Sequence, residues 1–367
     1  MKHPYLDRPT TAAIKGIALI IMFVHHFFTF QSWLVTGIEY AWMEKFTELY
    51  CRTTQICVPV FAFLMGYFYF TARKKTFAYS VRKISDVLVS YWIIYVPLWA
   101  MAIALGCHVF SYKDILHELF GLYNSVMCFC WYIYFYSIVM LLLPVLTRPL
   151  NRGFWADAVM LLVLPAMVLE YWVHQEGLHW LLETVLYNFV NWLPCIFSGY
   201  LFAKYDGFSR IFGTRMEGLS GWKRIAALVL IAWLGFRGRH ILQDVRLGYL
   251  TILGGRYKLA LPMDIVYAPM FIYGFGNLLQ FVKTKLPFTL LEKIGEKSML
   301  MWFLHCMFFN VCKEYTQPIL YFPQNPVLVL LNGLLICYVL ACLVNPVLKW
   351  LLKIKNRILD FVFFWEK

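Results

Sequence analysis

Lys15 and His26 lie eleven positions apart within one long apolar run, TTAAIKGIALIIMFVHHFFTF. Eleven residues are about three helical turns, so on a helix both side chains project from one face, roughly 16 Å apart along the axis. That arrangement offers a cation near one membrane surface and an imidazole near mid-bilayer. Imidazole exchanges protons near neutral pH, and ionisable groups buried in lipid are costly enough to mark a site or a pathway. The plainer alternative is a histidine hydrogen-bonded to a neighbouring helix for packing. His25 falls about 100° round the helix, off the Lys15 face, and reads as a structural neighbour.

His305 is a second imidazole inside an apolar run. It stands ten residues beyond Gly295, about 15 Å along a helix, at a depth similar to that of His26. Ser298 precedes it by two turns on the same face, so a Ser298–His305 hydrogen bond is expected. That pair serves either the packing of the bundle or the chemistry. Lys15, Arg82 and Lys83 sit at the basic ends of their runs. Each is readable as a membrane anchor or, if they converge on one mouth, as a contact for a phosphate-bearing cosubstrate. Glu170 and Asp264 fall near outer ends of runs. His174, Glu176 and His179 share a loop but lack metal-ligand spacing, so no metal is expected.

Of 367 residues, 61% are hydrophobic, 19% aromatic and only 14% charged, and the mean hydropathy is positive. Soluble chains carry about a quarter charged residues, so the composition is that of a membrane protein. The net charge of +13 sits in short clusters between apolar runs. That pattern fits cytoplasmic loops and argues against nucleic-acid binding. The 10 cysteines are scattered without a CxxC pair and read as small apolar fillers. The N-terminal run is too long for a cleavable signal peptide, and no small-residue cleavage site follows it.

Runs long enough to span a bilayer lie near 12–30, 53–72, 86–106, 129–147, 157–174, 185–203, 223–236, 260–282, 297–312 and 326–350. Alternate loops collect cations: Arg73, Lys74, Lys75, Arg82, Lys83; Arg148, Arg152; Lys204, Arg210, Arg215, Lys223, Arg224; Lys283, Lys285, Lys293, Lys297. The N-terminal segment and the basic tail join that side, and the opposite loops are poor in cations. The expectation is an all-α polytopic membrane helical bundle of about ten spans, with both termini cytoplasmic. Segment 237–258 breaks the pattern, carrying Arg237, Arg239, Arg246, Arg256 and Lys258 on the outer side. Two readings fit it: an anionic lipid or acceptor, or pairing with Asp244 and Asp264. No internal repeat relates the halves, which weakens an inverted-repeat transporter.

Four blocks resemble acyltransferase family 3 of integral membrane proteins. KGIALIIMFVHH (15–26) is similar to that family's first-span pattern of a basic residue, ten residues and a histidine. VPVFAFLMGYFYF (58–70) resembles the second-span block, with Met65 where serine is usual. WYIYFYSIVMLLLP (131–144) resembles the tryptophan-led fourth span, and IGEKSMLMWFLHCMFF (294–309) the late Ile-Gly, serine, histidine signature. The third span departs from the family's two arginines three apart. The phosphate contacts implied by that motif rest on Arg82 and Lys83 alone.

The resemblance implies one integral acyltransferase domain over 1–367, without an appended soluble domain. It implies transfer of an acyl group, usually acetyl from cytosolic acetyl-CoA, to a hydroxyl of a cell-surface or lipid-linked glycan, commonly at a bacterial inner membrane. His26 would be the base or an acyl-carrying nucleophile, and His305 with Ser298 would orient the acceptor or steady the oxyanion. The competing class is a secondary transporter or flippase of a glycan or small molecule, with His26 and His305 as coupling groups. A non-catalytic sensor that binds an acyl ligand is a third.

Overall fold

The computed structural model describes every residue except 1–5, 36, 39, 74, 108–111, 123–125, 174–178, 242–245, 253–256, 310 and 364–367. A helix lies at each apolar run. In chain order from the N-terminus come α1 (Arg8–Thr29), the half-polar α2 (Ala41–Thr54), α3 (Cys57–Thr71) and α4 (Phe77–Ala104). A short α5 (Tyr112–Glu118) leads to α6 (Tyr132–Leu146). The fifth run is interrupted: α7 (Phe154–Ala158) passes through a π turn at Val159–Val163 into α8 (Leu164–Val173). Pro165 explains the widening, since a residue without an N–H cannot continue the α ladder. Next are α9 (Trp180–Lys204), α10 (Thr214–Glu217) and α11 (Gly221–Ile241). After them come α12 (Asp264–Gln280), α13 (Leu286–Glu296), α14 (Ser298–His305), α15 (Lys313–Tyr321) and α16 (Pro326–Val362).

The protein is thus an all-α helical membrane protein with one small β element. By length and composition, α1, α4, residues 182–204 of α9 and α16 are long and apolar enough to cross a membrane. Asn325 caps α16 by accepting from the amides of Val327 (3.0 Å) and Leu328 (3.2 Å), with Pro326 preset at the first position. The segment read as an exceptional outer loop begins differently. Arg237 and Arg239 lie inside α11, and an antiparallel hairpin follows, β1 (Arg246–Ile252) and β2 (Tyr257–Pro262). Its strands pair Leu250 with Leu259 and Ile252 with Tyr257, with a register shift between Leu247 and Leu250. Asp244 and Arg256 lie outside the described residues, but the pairing to Asp264 is present: Arg239 approaches its carboxylate at 3.6 Å. Arg237 donates to the Thr53 hydroxyl at 3.0 Å.

The chain divides into two compact units. One comprises Met1–Met22, Tyr50–Lys75 and Leu146–Gly295. Within it α3 and α9 cross so closely that a Cβ on Gly66 would overlap the Ile196 carbonyl oxygen, and one on Gly199 the Phe63 carbonyl oxygen. Such reciprocal contacts let backbones approach where lipid offers no hydrophobic gain. Gly16 and Gly295 make the same exchange, against the carbonyls of Leu291 and Ala12. The glycines of the KGI and IGE blocks thereby seat α1 on α13. Asp7 begins α1 by accepting from the Thr10 amide (2.8 Å), and its other oxygen takes Lys283 at 2.5 Å. Burial opposes charge on that carboxyl, but the hydrogen bonds from Lys283 and Thr10 prevail and hold its pKa below the usual carboxylate value.

The other unit comprises Phe23–Leu49, Thr76–Val145 and Glu296–Lys367. Here α14 packs against α4 and α16. The fully buried Gln317 on α15 holds three backbone groups. Its oxygen accepts from the Val35 amide (2.8 Å), while its amide donates to the carbonyls of Trp33 (3.0 Å) and Phe308 (2.8 Å). Tyr321 donates to the Phe27 carbonyl at 2.6 Å. The segments following His26 and His305 are thus fastened to one helix. Replacing Gln317 with Leu removes the partners of the Val35 amide and the Phe308 carbonyl, at about 1–3 kcal/mol for each left unsatisfied, while the Trp33 carbonyl keeps Lys313 at 3.4 Å. A clear fall in melting temperature of the detergent-purified Gln317→Leu variant is the expected result.

Candidate active site

His26 occupies the last turn of α1, and His305 is the final residue of α14. His26 is therefore nearer its helix end than the middle, because α1 starts at Arg8 and stops at Thr29. The two imidazoles meet, with His26 Nδ1 lying 2.6 Å from His305 Nε2. His305 Nδ1 contacts the Trp302 carbonyl oxygen one turn back in its own helix.

These two contacts assign the protons. A carbonyl oxygen only accepts, so His305 Nδ1 carries the hydrogen and, in the neutral ring, Nε2 offers a lone pair. His26 Nδ1 must then donate to it, which leaves the lone pair of His26 on Nε2. The order Trp302 carbonyl, His305, His26 directs one basic nitrogen away from the pair. His305 is fully buried, whereas His26 retains some accessible surface. A sealed orienting ring behind a partly open one suits general-base or nucleophilic work.

Aromatic rings enclose the pair. Phe129 lies flat on His26, with centroids 3.7 Å apart and planes 5° apart. Phe23 stacks on His305 at 5.1 Å. Three thiols gather alongside: Cys128 Sγ points at the Cys306 carbonyl (3.7 Å), Cys130 Sγ at the Cys128 carbonyl (3.4 Å), and Cys306 Sγ at the Trp302 carbonyl (3.4 Å). Phe129, the Trp302 carbonyl, Gln317 and this thiol group had no distinguishing mark in the sequence, beyond the C-F-C spacing and the adjacency of His305 and Cys306.

The other expected site residues distribute as follows. Ser298 is buried but opens α14, while His305 closes it, about 10 Å away along the axis. Both His305 nitrogens have other partners, so the expected Ser298–His305 hydrogen bond is not formed. Sharing a face does not bring two side chains within reach. His25 lies on the other face, its Nδ1 3.3 Å from the Thr29 hydroxyl. Arg82 pairs with Asp360 at 2.7 Å and Lys83 with Asp86 at 3.6 Å, and Lys355 reaches Asp86 at 2.5 Å. Arg82 and Lys83 are therefore neighbours of the basic end of α16. Lys15 is partly buried on α1 within the other unit. His174 and Glu176 lie outside the described residues. Among the described residues no group of three or more His, Cys, Asp or Glu side chains is arranged to hold a metal ion.

No curated protein and no solved structure matches the chain. The family model described as an acyltransferase domain, that of acyltransferase family 3, matches residues 5–345. With nearly its whole length covered, the chain belongs to acyltransferase family 3 and is a membrane acyltransferase.

Proposed function

We propose that this acyltransferase moves an acyl group, acetyl in the first instance, from cytosolic acyl-CoA to a hydroxyl of a cell-surface or lipid-linked glycan. His26 Nε2 takes the proton from the acceptor hydroxyl as that oxygen attacks the thioester carbonyl. The tetrahedral intermediate collapses with loss of the CoA sulfur. The imidazolium returns its proton to that sulfur, so ester and free thiol form together and His26 is regenerated. His305 keeps His26 Nδ1–H engaged throughout, and the hydrogen-bond order needs no change as the proton arrives and leaves. General-base action of this kind contributes typically 10²–10⁴-fold. In a covalent relay the same nitrogen would carry the acyl group.

The hydrogen-bond order at His26 carries this reading. Lys15, Arg82 and Lys83 are the proposed contacts for the donor's phosphates, and Ser298 is left without an assigned step. Arg82 and Lys83 hold carboxylates, so a phosphate would compete with Asp360 and Asp86 for them. About ten spans with cytoplasmic termini in a bacterial inner membrane complete the proposal.

Replacing His26 with Ala should abolish acylation of the surface glycan, read by mass spectrometry, while protein persists in the membrane. Normal acylation by that variant contradicts the reading, as does substrate movement without consumption of acyl-CoA, which would indicate a transporter. Arg82→Gln should raise KM for acyl-CoA roughly tenfold, the effect of one lost charge-assisted contact of about 1.4 kcal/mol, with kcat little changed. Isotopic transfer assays in membranes check both parameters.

A further inference from the structure

We infer that Phe129 is a positioning residue for the acyl-transfer reaction, a plate that fixes the plane of the His26 imidazole so that Nε2 faces the acceptor; the inference rests on the reading of His26 given above. A single hydrogen bond at Nδ1 fixes the direction of that nitrogen but leaves the ring free to rock about the bond. The parallel contact at 3.7 Å and 5° removes this freedom. The second ring of the pair lies nearly parallel too, with His26 and His305 planes 12° apart.

The chain holds Phe129 there against its own preference. Its φ is 60°, in the left-handed region that a bulky side chain rarely enters. Strain of this kind persists only where surroundings enforce it, and such residues cluster at functional sites. Here the enforcing contacts are visible. Cys128 and Cys130 flank Phe129 and direct their thiols to the Cys306 carbonyl and to the loop's own carbonyl. Trp33 also stacks on Phe129, at 5.0 Å, and the Trp33 carbonyl accepts from Gln317 at 3.0 Å. A loop needed only for filling could place an aromatic ring without a left-handed backbone. The close parallel overlap with His26 is what the unfavourable conformation secures.

The test compares Phe129→Leu with Phe129→Tyr in membranes containing the full chain. Phe129→Leu should lower kcat about 10²-fold, the scale of a small misplacement of a reacting group, while KM for acyl-CoA stays within about twofold. Phe129→Tyr restores the flat face and should return kcat to within about threefold of the parent. Should leucine prevent folding, Phe129→Gly suits the left-handed backbone and must show the same fall in kcat. An unchanged kcat for Leu or Gly overturns the inference, as does a fall that matches lost folded protein or that tyrosine fails to rescue. The His26→Ala variant separates the two ideas. If it is inactive while Phe129→Leu is normal, only the plate is wrong; if it transfers normally, the reading of the site fails as well.

Discussion

Two imidazoles 2.6 Å apart must agree on which of them donates, and one backbone oxygen decides it. The Trp302 carbonyl can only accept, so His305 is bound to present a lone pair to His26. Without that carbonyl the neutral pair could exchange roles, and the free nitrogen of His26 would be a donor for part of the time. Burial adds to the effect, because in a low-dielectric interior a satisfied hydrogen-bond chain is strengthened and an unsatisfied one is costly. The proposed chemistry at His26 therefore depends on the last turn of an eight-residue helix.

The surrounding structure serves to keep that turn and the end of α1 in place. Within the unit that holds both histidines, α15 does much of this work. Gln317 ties the chain beyond His26 to the chain beyond His305, and Tyr321 reaches the carbonyl of Phe27, the residue after His26. In the other unit the first turns of α1 are seated by Gly16 and Gly295, whose missing side chains let two backbones touch. Residues of the KGI and IGE blocks thus contribute in separate ways. The histidines supply the hydrogen-bonded imidazole pair, and the glycines supply a helix crossing.

His26, His305 and the helical class were legible because ionisable groups stand out in apolar runs and because those runs have helical length. Periodicity located Ser298 on the face of His305 but carries no information about reach, and the competing carbonyl of Trp302 lies closer than any serine two turns away. Arg82 and Lys83 were legible as cations. Asp86 is a local partner of Lys83, three residues on in α4, whereas Asp360 beside Arg82 and Lys355 beside Asp86 depend on a pairing of α4 with α16 that no local pattern encodes. The helices α2, α5, α13 and α15 are short or half-polar and give no spanning run in the sequence. The hairpin strands Arg246–Ile252 and Tyr257–Pro262 leave no signal of their own in a chain dominated by helical apolar runs. Phe129 was hidden among abundant aromatics. Nothing in a C-F-C sequence states that the central residue takes a left-handed backbone.

The most direct measurement is nitrogen NMR of the detergent- or lipid-embedded protein carrying ¹⁵N-labelled histidine rings, with His26→Gln and His305→Gln used for assignment. The expected spectrum has both rings neutral and protonated on Nδ1, with a resolved coupling across the hydrogen bond between His26 Nδ1 and His305 Nε2. A spectrum with the proton of His26 on Nε2, or without coupling between the rings, would contradict the directed chain on which the mechanism stands.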